Sequence, residues 1–520
     1  MQRKTKWILA GALIGIPIVG GLALLYLAKQ HAAKIEPYIR DQAEAYLRDR
    51  FRADVSIASL KIDIPALSPV KMYVTKGAGV LVSVTGQGVS VKKNENMMFS
   101  VQSMRFEVDL GQLFEPHKGV TTVRMEGVEI VIPPKGERPK DDGKEGDGAG
   151  PDVKIGEVLI TNAKLVISPK DKTRIPLEFE LHTVRLFDAG VNSPMKYEAE
   201  LRNAKPPGEV KATGHFGPWN RDEPGDTHLD GDYVFERANL AVFKAIGGIL
   251  NSTGHFDGLL NNFTAKGEAT VPDFFLKASG NKLPLYAKFE VGVDGTNGNT
   301  ILKPVQGRLG KTSFVTSGGV LKHDGDQRRT IELDVNMPAG RLEDVLLLAM
   351  KGPEPFMSGV LRMKSRILVP PLSGKVIEKL RLRGDFVIKD GKFLRSTLQD
   401  RIDQMSRQAQ GQPKNQEIDE VVSVMSGRFV MADEAITLQN LLFGIPGADL
   451  KLDGHYNIDT EEMDFHGDLR LQAKLSQTQT GWKRWALKPV DPFFAKNGSG
   501  LYTKIKITGT RKDPKFGRDK

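Results

Sequence analysis

The chain has 520 residues, room for two or three ordinary domains or for one long repetitive one. Its 74 Lys and Arg outnumber its 64 Asp and Glu by ten, a modest basic excess in a mixture of both signs that does not describe a polycation. The absence of cysteine removes disulfide frameworks, thiolate nucleophiles, iron–sulfur clusters and cysteine zinc sites together.

A basic leader (1–6) with Arg3, Lys4 and Lys6 precedes 22 uncharged positions, Trp7 to Ala28. At 1.5 Å per residue this segment (7–28) is about 33 Å long and predicts a transmembrane helix. Trp7 and Tyr26 sit where membrane-interface aromatics belong, and the positive flank predicts a cytoplasmic N-terminus with the bulk of the chain on the far side. A cleaved signal peptide is the rival reading, disfavoured because the apolar run is long and no A-x-A site comes after it.

Ile35, Ile39, Ala43, Leu47 and Phe51 recur about every four residues and predict an amphipathic helix over 34–52 that packs on the adjoining part of the chain. From Val55 the period becomes two, predicting a mainly β chain. The first part of the sheet is expected over 53–132. Residues 133–152, rich in charge, Gly and Pro, are expected to form a flexible loop. A central sheet region is expected over 153–378 and a C-terminal region over 379–520.

Six Asp-Gly pairs, at residues 230, 257, 294, 324, 390 and 453, are candidates for tight turns, some of them falling inside strands. The sheet is expected to be antiparallel and meandering. Helical patterns are few: Asn239 to Leu250, Leu342 to Met350, Ser396 to Gln410 opened by Ser396-x-x-Gln399, and Glu417 to Met425.

The alternation is clearest late in the chain. Leu380, Leu382, Phe386 and Ile388 share one face, as do Leu450, Leu452, Tyr456 and Ile458, and then Met463, Phe465, Leu469 and Leu471. Charged residues occupy the opposite face of each strand, so each has one oily and one wet side. Roughly 25 strands spaced about 4.8 Å apart make a ribbon on the order of 120 Å. A few short helices cannot roof that length, so the sheet is expected to curl, and an open curl encloses an apolar trough suited to acyl chains. These twelve residues are the candidate lipid-binding face.

The stretch Gly427 to Ser476 and the tail G-T-x-x-x-P-x-F (Gly509, Thr510, Pro514, Phe516) resemble the C-terminal region of the AsmA-like proteins of diderm bacteria, the family of TamB and YhdP. The start is similar too, with a basic leader, one membrane helix, an amphipathic helix and a V-x-I-x-x-L-x-I strand at Val55 to Ile62. This resemblance implies an inner-membrane anchored periplasmic protein, an elongated β-groove with a hydrophobic floor, and a part in phospholipid movement toward the outer membrane and in envelope integrity. It supplies no catalytic residues.

Other chemistry is weakly signalled. His215 and the His228-x-Asp230 pair could begin a metal site, but no third ligand stands at a recognisable spacing, and solvent-facing strand positions are the simpler reading, as for His455 and His466. Gly307 to Thr312 (GRLGKT) imitates part of a P-loop without its first glycine or its helix. No G-x-S-x-G, H-E-x-x-H or dinucleotide fingerprint occurs, so neither an enzyme nor a cofactor is expected. Trp482 and Trp485 lie beside Lys483, Arg484 and Lys488, suiting a membrane interface, a plug at the groove's end, or ordinary packing. The basic tail from Lys504 suits anionic headgroups or is simply solvated; nucleic acid is not expected behind a membrane anchor.

Expected partners are membrane phospholipids and envelope proteins that complete a bridge to the outer membrane. The alternative function is an outer-membrane protein assembly factor or scaffold that binds client strands by β-augmentation.

Overall fold

The structure is a computed structural model. It describes positions 37, 40, 41, 43–45 and 48, and residues 53–63, 81–93, 96–109, 118–132, 153–168, 177–189, 193–218, 224–295, 298–322, 326, 328–394, 396–410, 421–472, 501–510 and 513–519. The expected membrane helix, the loop 133–152, and Trp7, Tyr26, Trp482 and Trp485 lie outside the described residues. Among the described residues no helix is long and apolar enough to cross a membrane.

The protein is mainly β and divides into two compact units, one of residues 1–239, 251–267 and 293–298, the other of 240–250, 268–292 and 299–520. The first holds β1 (Asp54–Asp63), β2 (Leu81–Lys93), β3 (Asn96–Asp109), β4 (Lys118–Ile132), β5 (Val153–Ile167), β6 (Leu177–Ala189), β7 (Met195–Ala204), β8 (Pro207–Phe216) and β9 (His228–Asn239). Next come β10 (Ile246–Gly247), β11 (Ile249–Leu259), β12 (Asn262–Leu276) and β13 (Leu283–Val293), among which the division falls.

The second unit continues with β14 (Thr300–Leu309), β15 (Thr312–Leu321), β16 (Thr330–Arg341), β17 (Met357–Val369), β18 (Arg381–Phe393), β19 (Ser423–Ala432), β20 (Ala435–Ile445), β21 (Ala448–Asn457), β22 (Glu462–Leu471), β23 (Leu501–Thr510) and β24 (Pro514–Arg518). Its helices are α1 (Leu342–Ala349), α2 (Val376–Lys379) and α3 (Ser396–Ala409).

Successive strands pair antiparallel from β1 to β4 and from β5 to β9, and again from β14 to β24. The exception is β4 with β5, which are parallel, Val123 opposite Val158. A hairpin cannot join parallel neighbours, and residues 133–152 supply the length a crossover needs. Each unit's sheet is open among the described residues: β1 pairs only with β2, and β24 only with β23.

The V-x-I-x-x-L-x-I spacing is a local kink rather than a lapse in the pattern. Val55 and Ile57 stand opposite Val91 and Val89, Leu60 and Ile62 opposite Gly86 and Val84, so both strands change parity at Ala58 and Gly88. Gly88 has φ +62°, and its neighbours across the sheet carry Gly127 (φ +64°) and Asn162 (φ +53°) near the same level. A left-handed residue flips the alternation, and aligned flips keep one face apolar across β1–β5. That face is a closed core in which Val82, Val123 and Val158 are fully buried. The described positions between 37 and 48 are helical, and Ala43 joins the core. Glu44 ties this helix to β1 by accepting the Ile57 N–H at 2.7 Å.

Two sequence-predicted helices are not formed over the described residues. Asn239 to Leu250 is a single 3-10 turn (Leu240–Val242) that runs into strand. Gly248 at φ +124° turns the chain back so that its carbonyl accepts the Leu240 N–H, and Ile246 and Gly247 pair with Leu276 and Phe275. Within Glu417 to Met425, the described residues 421–425 are extended and lead into β19, where Val424 and Met425 pair with Gly444 and Phe443. The Asp-Gly pairs at 230, 257, 390 and 453 lie inside β9, β11, β18 and β21; Asp390 (φ +53°) forms a bulge.

Candidate functional site

Cross-strand partners share a face, so register decides which side chains meet. One row crosses the second unit as Leu302, Gly318, Leu333, Ile367, Leu382, Met431, Ile436, Tyr456 and Met463, a residue from each strand from β14 to β22. A parallel row runs Gly384, Phe429, Leu438, Gly454, Phe465 and Ile507 over β18–β23. A third runs Leu361, Ile388, Met425, Phe443, Leu450 and Leu469 over β17–β22. Eight spacings between these nine strands make this face about 40 Å wide.

The rows hold together because bulges stay aligned. Slips fall between Met337 and Gly340, Ser358 and Val360, Ile388 and Gly391, Ser426 and Arg428, and Leu438 and Leu441. Gly359, Asp390 and Asn440 supply positive φ at or beside these slips.

Among the described residues, helices cover this face only in places. Leu342 of α1 packs with Met337, Met357, Leu361 and Ile388. Ala409 of α3 packs with Val421, Phe443, Ile445 and Ala448. Buried polar groups pin both helices. Asp344, 8% exposed, accepts from Thr312 Oγ1 at 2.7 Å and from the Lys311 N–H at 2.9 Å. Gln399 accepts the Phe393 N–H at 2.9 Å and donates to Val421 O at 2.9 Å and Asp403 Oδ1 at 2.8 Å. Its reach to Phe393 replaces the simple capping box its spacing to Ser396 predicts.

The twelve residues read from alternation divide by burial. Ile388 and Leu452 are buried at 5% exposure. Leu382, Phe386, Leu450, Tyr456, Met463, Phe465, Leu469 and Leu471 lie in strands and are half-buried, the first seven on the shared rows or immediately beside them. Leu471 stands opposite Ala448 and packs under α3. Leu380 precedes β18, and Ile458 lies in the turn after β21, its N–H held by Glu434 O at 2.8 Å.

A second half-buried apolar surface, not read from the sequence, lies in the first unit. Tyr233 and Phe256 rings stand 6.2 Å apart, Phe256 and Phe263 6.0 Å apart. Tyr197 completes the group, its hydroxyl donating to Asp230 O at 3.1 Å, and burial, with the nearby Asp230 and Asp232, pushes its pKa far above the ordinary tyrosine value. The signal that could have found it is the recurrence of an aromatic residue beside a strand glycine, because Gly231 sits under Tyr197 and Phe256 and Gly254 under Tyr233.

The polar faces carry the histidines. His215 Nδ1 lies 3.2 Å from Asp230, whose other oxygen is 3.9 Å from His228; His228 Nε2 is 3.0 Å from Asp257, and His255 is 2.9 Å from Asp232. These are pairwise contacts along a strand surface, and no cluster of three metal-ligating side chains converges among the described residues. GRLGKT is a β-hairpin, Leu309 opposite Thr312, with Gly310 at φ +57°.

Comparison of the chain with protein-family models, with curated proteins and with solved structures finds no match in any of the three.

Proposed function

We propose that this is an inner-membrane anchored periplasmic protein of the AsmA-like kind, binding phospholipid acyl chains along its apolar sheet face and supporting lipid movement to the outer membrane and envelope integrity. The observation that carries the reading is the half-buried state of the rows through Leu382, Tyr456, Phe465 and Leu469, which α1 and α3 cover only in part. An antiparallel sheet of this width ordinarily hides its oily side under a second layer. Here, among the described residues, α1 and α3 supply that layer only locally.

An acyl chain laid on this face gains about 0.8 kcal/mol per buried CH₂. The rows offer Leu, Ile, Met and Phe in near-uniform succession, so a chain meets no deep local minimum and can slide along them. Headgroups stay in water and no covalent bond changes, which fits a chain whose sequence carries no catalytic motif. The rival reading, strand addition by client proteins, gains little from β24: Pro514, Lys515 and Arg518 make it a poor template.

The test is to purify the full chain in detergent and look for co-purifying phospholipid by mass spectrometry, with photo-crosslinkers at Phe465 and Leu469. Lipid adducts at both positions are expected. A lipid-free, stably folded protein, or adducts to polypeptide alone, would overturn the reading.

A further inference from the structure

The wet side of the same strands carries a second feature. Register places Arg366 of β17 directly opposite Arg383 of β18. The adjoining row runs Asn336, Lys364, Asp385, Arg428 and Gln439 across β16–β20. These side chains line a depression of about 650 Å³, with Asp334 of β16 directly opposite Arg366 on the side away from Arg383. A twisted sheet is saddle-shaped, so its polar face is concave along one diagonal.

The charges in this depression are not balanced. Arg366 is bonded to Glu332, and Arg428 Nε is 3.1 Å from Asp385. Arg383 and Lys364 form no ion pair among the described residues. Arg383 has Arg366 on one side and Val430 on the other, so neither lateral neighbour offers it a carboxylate. Like charges directly opposite across a ladder are destabilising. An oxyanion between the two guanidinium groups reverses that repulsion and supplies the paired acceptor oxygens that arginine's planar fork favours.

We infer that this depression binds a phosphate ester, its oxygens bridging Arg366 and Arg383 with Lys364 and Arg428 at the rim. The volume exceeds a bare phosphate and admits the attached alcohol, whether the ester is a soluble metabolite or a lipid headgroup. The inference is independent of acyl chains on the apolar side, because it concerns the opposite face.

Calorimetric titration of the full chain in detergent with glycerol 3-phosphate, at constant ionic strength, tests it. Binding to the native protein is expected, about tenfold weaker in Arg383→Gln and unchanged in Arg124→Gln on β4, a control outside the depression. Without ligand, Arg383→Gln should melt no lower than the native protein, since it removes a like-charge contact, and glycerol 3-phosphate should raise the melting temperature of the native protein and of Arg124→Gln more than that of Arg383→Gln. Competition by phosphatidylglycerol vesicles but not by phosphatidylcholine vesicles would assign the site to an anionic headgroup; absence of competition would assign it to a soluble ester. Equal titrations of native protein and Arg383→Gln, or no binding by the native protein at millimolar ligand, would overturn the inference.

Discussion

The ring of Phe429 lies across Gly384, its direct partner on the neighbouring strand, so that a Cβ on residue 384 would fall 2.9 Å from the Phe429 ring and 2.2 Å from the Lys364 carbonyl oxygen. Gly307 with Phe314 and Gly454 with Phe465 repeat the arrangement. A ring lying over a glycine covers the backbone and lies low on the sheet, keeping the apolar rows level. Gly384→Val should therefore lower stability by about 2 kcal/mol, read as a shift in urea midpoint. An unchanged midpoint would show that the strands part to admit a side chain.

Asp344 is the anchor of α1. Replacing it with Ala leaves the Lys311 N–H without its acceptor at a buried position and the Thr312 hydroxyl with only its longer bond to Arg341 O at 3.3 Å, and a cost of about 2 kcal/mol is expected. Asp344→Asn keeps an acceptor oxygen and should cost less. Equal losses for the two variants would mean that hydrogen bonding there is not the stabilising contribution.

Burial separates folding from binding on the apolar face. Leu452 is 5% exposed, so Leu452→Asp should cost on the order of 4 kcal/mol and give little folded protein. Half-buried Leu469 can turn an aspartate toward water, so Leu469→Asp should fold while losing co-purified lipid. Circular dichroism and lipid mass spectrometry on both variants check this; a folded Leu469→Asp protein with undiminished lipid would contradict the proposed function.

His466 couples the C-terminal strand to pH. Its ring contacts Asp519 at 2.9 Å and Asp464 at 3.0 Å, and the hydrogen bond to Asp519 is the main reason its pKa lies above the ordinary histidine value of 6.5. A raised folded-state pKa stabilises the protonated form, so the contact acts fully below pH 6.5 and fades as pH rises through the folded value. Amide exchange of residues 515–519, corrected for intrinsic rate, should show less protection at pH 8.5 than at pH 5.5. His466→Asn should abolish that difference.

Much of the strand pattern was legible because a strand's two faces repeat every two residues. Leu382, Tyr456 and Phe465 could be assigned to one side from spacing alone, and His455 and His466 to the other. Helices α1 and α3 were visible for a related reason, since a period of 3.6 bounded by Gly and Pro is a local property. The 239–250 segment failed because a 3-10 turn running into a strand spaces its apolar residues much as a helix does. Only the path of the backbone at Gly248 separates the two.

What the sequence determined alone was therefore parity: which residues of one strand look the same way. Which strands stand side by side was decided by the tertiary structure, and with it the alignment of Leu302 through Met463 in one row, the opposition of Arg366 and Arg383, and the parallel step from β4 to β5. Parity comes from covalent geometry and is written in every short stretch of chain. Neighbourhood depends on loop lengths, on bulges that match from strand to strand, and on buried anchors such as Asp344 and Gln399, contacts whose partners lie far apart along the chain.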